Sequence, residues 1–170
     1  VKAAVEAIVN AKNPIILSGN GAVRKRASNQ LRRLAEKTGI RVVNTFMGKG
    51  AVSRHDPHCL YTIGLQGQDH VNAALYAADV VIAVGYDLVE YSPKLWNKDT
   101  KKIIIHIDFW PAEIDEDYIV GVEVVSDVAD ALWQINELFD QEHKDKLPLY
   151  DINNKQKLRT TISDDFAMEK

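Results

Sequence analysis

Val80 to Trp96 reads VVIAVGYDLVEYSPKLW. Five apolar residues, Val80 to Val84, run without polar alternation and stop at Gly85. A strand of this kind is buried on both faces, as in a parallel sheet. In such sheets, the loops after the carboxyl ends of the strands build the binding crevice. Gly85 permits a tight turn or a close approach of backbone to a ligand. Tyr86 to Tyr91 is therefore expected beside whatever the domain binds.

The same signal recurs on both sides of this stretch. Upstream, an amphipathic helix carries Val1, Val5, Ile8 and Val9 near one face, and Asn13-Pro14 breaks it. A short buried strand, Ile15 to Leu17, leads into Gly19-Asn20-Gly21. Ala27, Leu31, Leu34 and Ala35 follow at helical spacing, with Gly39 as C-cap. Arg41 to Phe46 reads as the next strand and Met47 to Leu60 as mostly loop. Val71, Ala74, Leu75 and Ala78 mark a helix before the Val80 strand. Downstream, Pro93 opens a short helix through Trp96, since proline suits a first helical turn. Ile103 to Ile107 and Val120 to Val125 are strands. Val128, Leu132, Ile135 and Phe139 form a last helix, capped by Ser126 or Asp127. Strands alternating with helices predict an α/β fold. It is a three-layer, Rossmann-like parallel sheet flanked by helices, with right-handed crossovers.

A chain of 170 residues suffices for one domain with a sizeable core. The net charge of −3 gives no general reason to expect nucleic acid or an anionic membrane as partner. Cys59 is the only cysteine, which excludes an intramolecular disulfide and a cysteine-rich zinc site. No apolar run approaches the roughly 20 residues that span a bilayer, and no signal peptide is visible. Cytoplasm is the default expectation. The chain starts inside a helical pattern, and its far end, KLPLYDINNKQKLRTTISDDFAMEK, is polar and weakly periodic. Both ends suggest a piece of a longer polypeptide. A processed N-terminus with a loose tail is the alternative.

Each candidate site competes with a plainer reading. Gly19-Asn20-Gly21 follows a strand and precedes a helix, the context of a phosphate-cradling turn. Arg24 stands where the dinucleotide fingerprint has its third glycine, and a turn that needs two glycines for backbone reasons reads equally well. Arg24, Lys25 and Arg26, with Arg32 and Arg33 further on, either recruit an anion or face water, which charge runs usually do. His55-Asp56-Pro57-His58-Cys59 has metal-binding residue types but lacks helical spacing, so a polar loop is the better reading. Asp108 follows a strand, where an acidic residue binds a ribose hydroxyl or simply starts a turn. Asp87 and Glu90 have no nucleophile, histidine or metal partner in the pattern, so polar loop contacts suit them better than acid–base catalysis. No Ser-His-Asp arrangement, Walker lysine motif or HExxH is present.

Several segments, in order, resemble the central domain of thiamine-diphosphate-dependent acetolactate synthases. They are AKNPIILSGNGAV, NTFMGKGAVS, TIGLQGQ, ADVVIAVGYDLVEYSPKLWN, IIHIDFWPAEID and VEVVSDVADALWQI. The run from Gly85 to Asn97 is the most specific and is similar to the catabolic, acetoin-route members. The resemblance implies a parent chain with a pyrimidine domain before this one and a diphosphate domain after it. Thiamine diphosphate and Mg²⁺ would be bound by those outer domains, in a homo-oligomer. Residues 1–140 would form the single central domain and 141–170 a linker toward the C-terminal one. The catalytic glutamate and the metal motif of the family lie outside this stretch, so the piece alone is expected to be inactive. No catalytic residue and no metal ligand is assigned to it.

In anabolic members of the family this domain binds a structural FAD. Carried over, its contacts would fall on Gly19, Asn20, Gly21, Thr45, Phe46, Met47, Gly64, Leu65, Gln66, Gly67, Gly85, Asp108 and Asp127. Those matching the family type are Gly19, Gly21, Thr45, Gly64, Gly85, Asp108 and Asp127. Asp87 and Tyr91 replace two arginines, and Ser126 replaces a glycine that lets the adenine approach. A carboxylate in place of a cation is unfavourable for a diphosphate. FAD binding is therefore expected to be weak or absent. The expected parent condenses two pyruvates to 2-acetolactate and CO2, while this domain supplies scaffold and interdomain contacts. Phe46, Met47, Trp96 and Trp110 are candidate contacts near the cofactor channel. A stand-alone FAD- or nucleotide-binding module is the alternative. An NAD-dependent deacylase, which usually needs four zinc-binding cysteines, is nearly excluded by the single Cys59.

Overall fold

A computed structural model describes residues 1–64, 71–113 and 115–151. Six strands form one fully parallel sheet. They are β1 (Pro14–Ser18), β2 (Arg41–Asn44), β3 (Cys59–Thr62), β4 (Val80–Val84), β5 (Ile103–Asp108) and β6 (Val120–Val125), in the spatial order β3-β2-β1-β4-β5-β6. The order reverses between β1 and β4, which is the topological switch point of a doubly wound sheet. The apolar run of β4 earns its central place. Val80 to Val84 pair with Pro14 to Ser18 on one side and with Ile103 to Ile107 on the other, and all five residues are buried.

The two faces of the sheet are covered differently. On one, Ile16, Ile82, Val84 and Ile105 pack with three helices, α1 (Lys2–Asn10), α2 (Lys25–Thr38) and α4 (Val128–Glu142). α2 buries Ala27, Leu31, Leu34 and Ala35. It ends at Gly39, whose φ of 76° and N–H to Ala35 C=O (2.9 Å) make a left-handed cap. Asp127 caps α4 by accepting Asp130 N–H at 3.0 Å. On the other face, Ile15, Leu17, Val81, Ala83 and Ile104 pack with one short α-helix among the described residues, α3 (Asn72–Tyr76), together with Tyr86, Tyr91, Trp96 and Tyr118. The loop after β4 thus acts as a packing layer on this face, as α2 in the β1–β2 crossover does on the other. Its aromatic rings stand edge-on or tilted, with centroids 5.7 Å apart for Tyr86 and Tyr118 and 6.3 Å for each with Trp96.

Several expectations change. β3 begins at the end of the stretch Met47 to Leu60, read as mostly loop, and runs two residues past it. It is a four-residue edge strand with a register shift against β2, too short to show a periodic pattern. β2 stops at Asn44, because Thr45 N–H turns to Ser18 C=O (2.9 Å) and Phe46 emerges into solvent. The expected helix around Val71 to Ala78 spans only Asn72–Tyr76. The stretch read as linker begins with residues that return to the domain. Leu147, Leu149 and Tyr150 pack on the helix-side core, and the Tyr150 hydroxyl donates to Ile8 C=O (2.6 Å) and Ala11 C=O (2.9 Å). No helix among the described residues is long and apolar enough to cross a membrane.

Candidate functional site

The switch point brings the turn after β1 against the turn after β4. Gly19 N–H donates to Val84 C=O (2.9 Å) and Gly21 N–H to Gly85 C=O (2.8 Å), while Gly85 N–H continues to Ile107 C=O (2.8 Å). A Cβ on Gly19 would lie 2.4 Å from the Gly85 oxygen, and one on Gly85 would lie 2.5 Å from Gly21 Cα. Gly85 also has a φ of +55°. These three glycines are required by each other's backbone, which is the plainer of the two readings of Gly19-Asn20-Gly21.

The amide that the turn offers to an anion is already taken. Glu90, only 8% exposed, accepts Asn20 N–H at 3.0 and 3.2 Å and Asp87 N–H at 3.3 Å. The Thr45 hydroxyl donates to the same carboxylate and accepts Gly48 N–H at 2.8 Å. Glu90 therefore ties the ends of β1 and β2 to the loop after β4. This is a polar contact within the chain, as expected for that loop, but its partners were not legible in the sequence.

Above this knot lies a cleft of about 960 Å³, within the range of small-ligand sites. Arg24, Lys25 and Arg26 form a basic wall, while Asp87, Glu90, Asp108, Asp127 and Asp130 also line it, and Phe109 and Trp110 add exposed apolar surface. Asp108 is engaged by its own turn, accepting Phe109 N–H (2.6 Å) and Trp110 N–H (3.2 Å), and Asp127 by the start of α4. Asp87 accepts Val89 N–H at 3.0 Å. Among the described residues the lining contains no serine, cysteine or histidine. Nearby, burial pushes the phenols of Tyr86 and Tyr118 far above their usual range, so both remain neutral hydroxyls. The arrangement can hold and position; it has no nucleophile–base pair.

Of the residues singled out by sequence, Gly21, Gly85, Asp108 and Asp127 line the cleft together. Gly19 sits beneath it against Gly85 and Glu90, and Thr45 reaches it only through Glu90. Gly64 follows β3, at the sheet edge and outside this lining, and Leu65, Gln66 and Gly67 lie outside the described residues. Tyr91, which replaces a cation in the resemblance, points away from the cleft: it is buried and accepts a hydrogen bond from Asn72 on α3. In the His55–Cys59 run, His58 pairs with Asp56 at 3.0 Å and Cys59 is buried; among the described residues no three metal-capable side chains come together.

A parallel sheet in this order, with a cleft at its switch point, defines a doubly wound α/β domain. Residues 1–135 match the family described as thiamine pyrophosphate enzyme, central domain, and the chain belongs to that family. It is 34% identical over 152 residues to the probable acetolactate synthase large subunit of Methanococcus aeolicus (85% of this chain, 25% of that protein). It is 35% identical over 129 residues to acetolactate synthase of Bacillus subtilis (75% and 23%). To acetolactate synthase isozyme 3 large subunit of Escherichia coli it is 30% identical over 146 residues (84% and 25%). The chain spans about a quarter of the length of these relatives.

The residues of the cleft do not fit a flavin diphosphate. Three basic side chains stand against five acidic ones, and the Asn20 amide is held by Glu90. The reading as a free FAD-binding module finds no support.

Proposed function

We propose that this domain is the middle module of an acetolactate synthase, a transferase that joins two pyruvates into 2-acetolactate with loss of CO2. The observation that carries the reading is the Gly85–Asn97 loop. The residues most specific to the resemblance, Tyr86, Tyr91 and Trp96, are those that build the second core of this domain. The family match and the names of the relatives point the same way. When bound, thiamine diphosphate supplies the carbanion chemistry of decarboxylation and C–C bond formation, and the protein positions and protects it. In this reading it sits with Mg²⁺ in the flanking pyrimidine and diphosphate domains of a homo-oligomer in the cytoplasm. This domain holds those domains in register and takes up FAD weakly or not at all. The Gly85–Asn97 run resembles that of the catabolic members of the family.

The test is to express the full-length polypeptide with thiamine diphosphate and Mg²⁺ and to assay pyruvate consumption and acetolactate, read as acetoin after acid decarboxylation. Acetolactate from the full chain and none from residues 1–170 alone is the expected result. Absence of acetolactate from a folded, cofactor-loaded full chain would refute the reading. Flavin fluorescence titration of the same protein should show no micromolar binding.

A further inference from the structure

Glu90 differs from the other carboxylates of the cleft. It is nearly buried, and its oxygens are held by two main-chain amides, Asn20 and Asp87, and by the Thr45 hydroxyl. Thr45 is fully buried and its oxygen already accepts Gly48 N–H, so its own hydrogen is committed to Glu90. Among the described residues no cation pairs with this carboxylate; amides and a hydroxyl compensate its burial instead. In α/β nucleotide-binding domains the amide at the position of Asn20, in the turn after the first strand, receives a phosphate oxygen. Here that amide receives an oxygen of the chain's own side chain.

We propose that Glu90 is an internal anion that occupies the place of a ligand phosphate and so determines that this cleft rejects phosphate and phosphoanhydride ligands. The carboxylate is tethered five residues beyond Gly85 by its own loop, so it fills the site without the entropy cost of association that a free ligand bears. An incoming phosphate would have to displace it or share three donors with it, and two adjacent anions repel. Without Glu90, the Asn20 and Asp87 amides and the Thr45 hydroxyl would face the cleft beside Arg24, Lys25 and Arg26. That donor set suits a phosphoanhydride. The inference concerns ligand specificity and holds whatever reaction the parent polypeptide performs.

The test uses the full-length protein saturated with thiamine diphosphate and Mg²⁺, so that the other diphosphate site is filled. Inorganic pyrophosphate and ADP are titrated by calorimetry into wild type, Glu90→Ala and Glu90→Gln. Hydrogen exchange at the Asn20 amide is followed in parallel. The expected result is no binding by wild type and a slowly exchanging Asn20 amide that neither probe alters. Glu90→Ala should bind at about one-tenth to one-hundredth of the highest probe concentration at which wild type shows no heat, the worth of a charge-assisted hydrogen bond or two. Its Asn20 amide should exchange fast and become protected when the probe is added. Glu90→Gln preserves the side-chain shape and should gain less. Three results overturn the proposal: wild type that binds either probe at Asn20, a folded variant that gains nothing, or a gain that leaves Asn20 exchange unchanged. If both variants fail to fold, Glu90→Asp, which keeps the charge but shortens its reach to the Asn20 amide, is the variant in which faster Asn20 exchange and a gain in probe binding are sought, and probe-dependent exchange at Asn20 in wild type still refutes the proposal.

Discussion

The carbonyl oxygen of Gly85 accepts the N–H of Gly21 at 2.8 Å, and the two residues touch with no room for a side chain on either. Gly85→Ala would put a Cβ 2.5 Å from Gly21 Cα on a backbone with φ +55°. The positive φ and the overlap with rigid backbone add, so the expected cost is on the order of 3 kcal/mol or more. Gly121→Ala is the contrast. Its φ is unexceptional, and its Cβ would come nearest to the Ile103 side chain at 3.2 Å, which can move, with the Ile104 main chain at ordinary contact distances of 3.7 and 4.0 Å. It should change stability by less than about 0.5 kcal/mol. Urea unfolding of both variants reads the difference, and equal effects would show that the turn tolerates a side chain.

Trp96 is fully buried between Tyr86 and Tyr118, whereas Trp110 and Trp133 are 70% and 47% exposed. Acrylamide should therefore quench two tryptophans readily and leave one protected, blue-shifted emitter. Trp96→Phe should abolish the protected component while retaining the fold. Trp96→Ala should cost about 3–5 kcal/mol, because it opens a cavity in the face of the sheet covered by a loop. A protected component that survives in Trp96→Phe would place another tryptophan in the core.

How legible these features were depended on range. Val80 to Val84 declared a buried parallel strand because both faces of the sheet are covered there, Val80, Ile82 and Val84 in one core and Val81 and Ala83 in the other, so every residue is apolar. Asp127 and Gly39 were legible as caps because capping is local chemistry. β3 was not, since its four residues at the sheet edge carry no period. Glu90 was visible only as a polar residue after Gly85. Its partners Asn20 and Thr45 stand 70 and 45 positions away and meet it through the strand order. Tyr91 followed the same logic in reverse. Its place in the loop suggested a ligand contact, but the loop stands in for a helix and turns Tyr86, Tyr91 and Trp96 inward.

Tyr150 fastens the segment after α4 to the loop between α1 and β1. Its hydroxyl donates to Ile8 and Ala11 carbonyls and its N–H to Thr38 C=O (3.0 Å). Tyr150→Phe should cost about 1–2 kcal/mol, since two carbonyls lose a donor. Burial, aided by the charge on Asp79, pushes the phenol up to about 12. With the folded value raised above about 10 for an unfolded tyrosine, its contribution is present at neutral pH and is lost as pH rises from about 10 through 12. Tyr150→Phe should therefore unfold less steeply than wild type across that alkaline range. Parallel alkaline unfolding curves would sink the assignment.

Asp79, just before β4, accepts main-chain N–H groups of Lys12 (2.7 Å) and Asn13 (2.8 Å), and so clamps the turn between α1 and β1 to the start of the central strand. Burial raises its pKa, but the amides of Lys12 and Asn13, with its own and that of Val80, outweigh burial and hold it below the usual carboxylate value of 3.8. A depressed folded pKa means that the ionised form stabilises the fold above the unfolded value, near 4, and that this is lost as pH falls through the folded value. Asp79→Asn leaves one acceptor and turns an NH2 toward the other donor, so it should cost about 1–2 kcal/mol at neutral pH. The wild-type advantage should stay constant from pH 7 to about 5 and shrink below about 4. Urea midpoints of both proteins measured through that acid range check the sign: an advantage that persists undiminished at the lowest pH would mean that the amides hold the side chain by shape and not by charge.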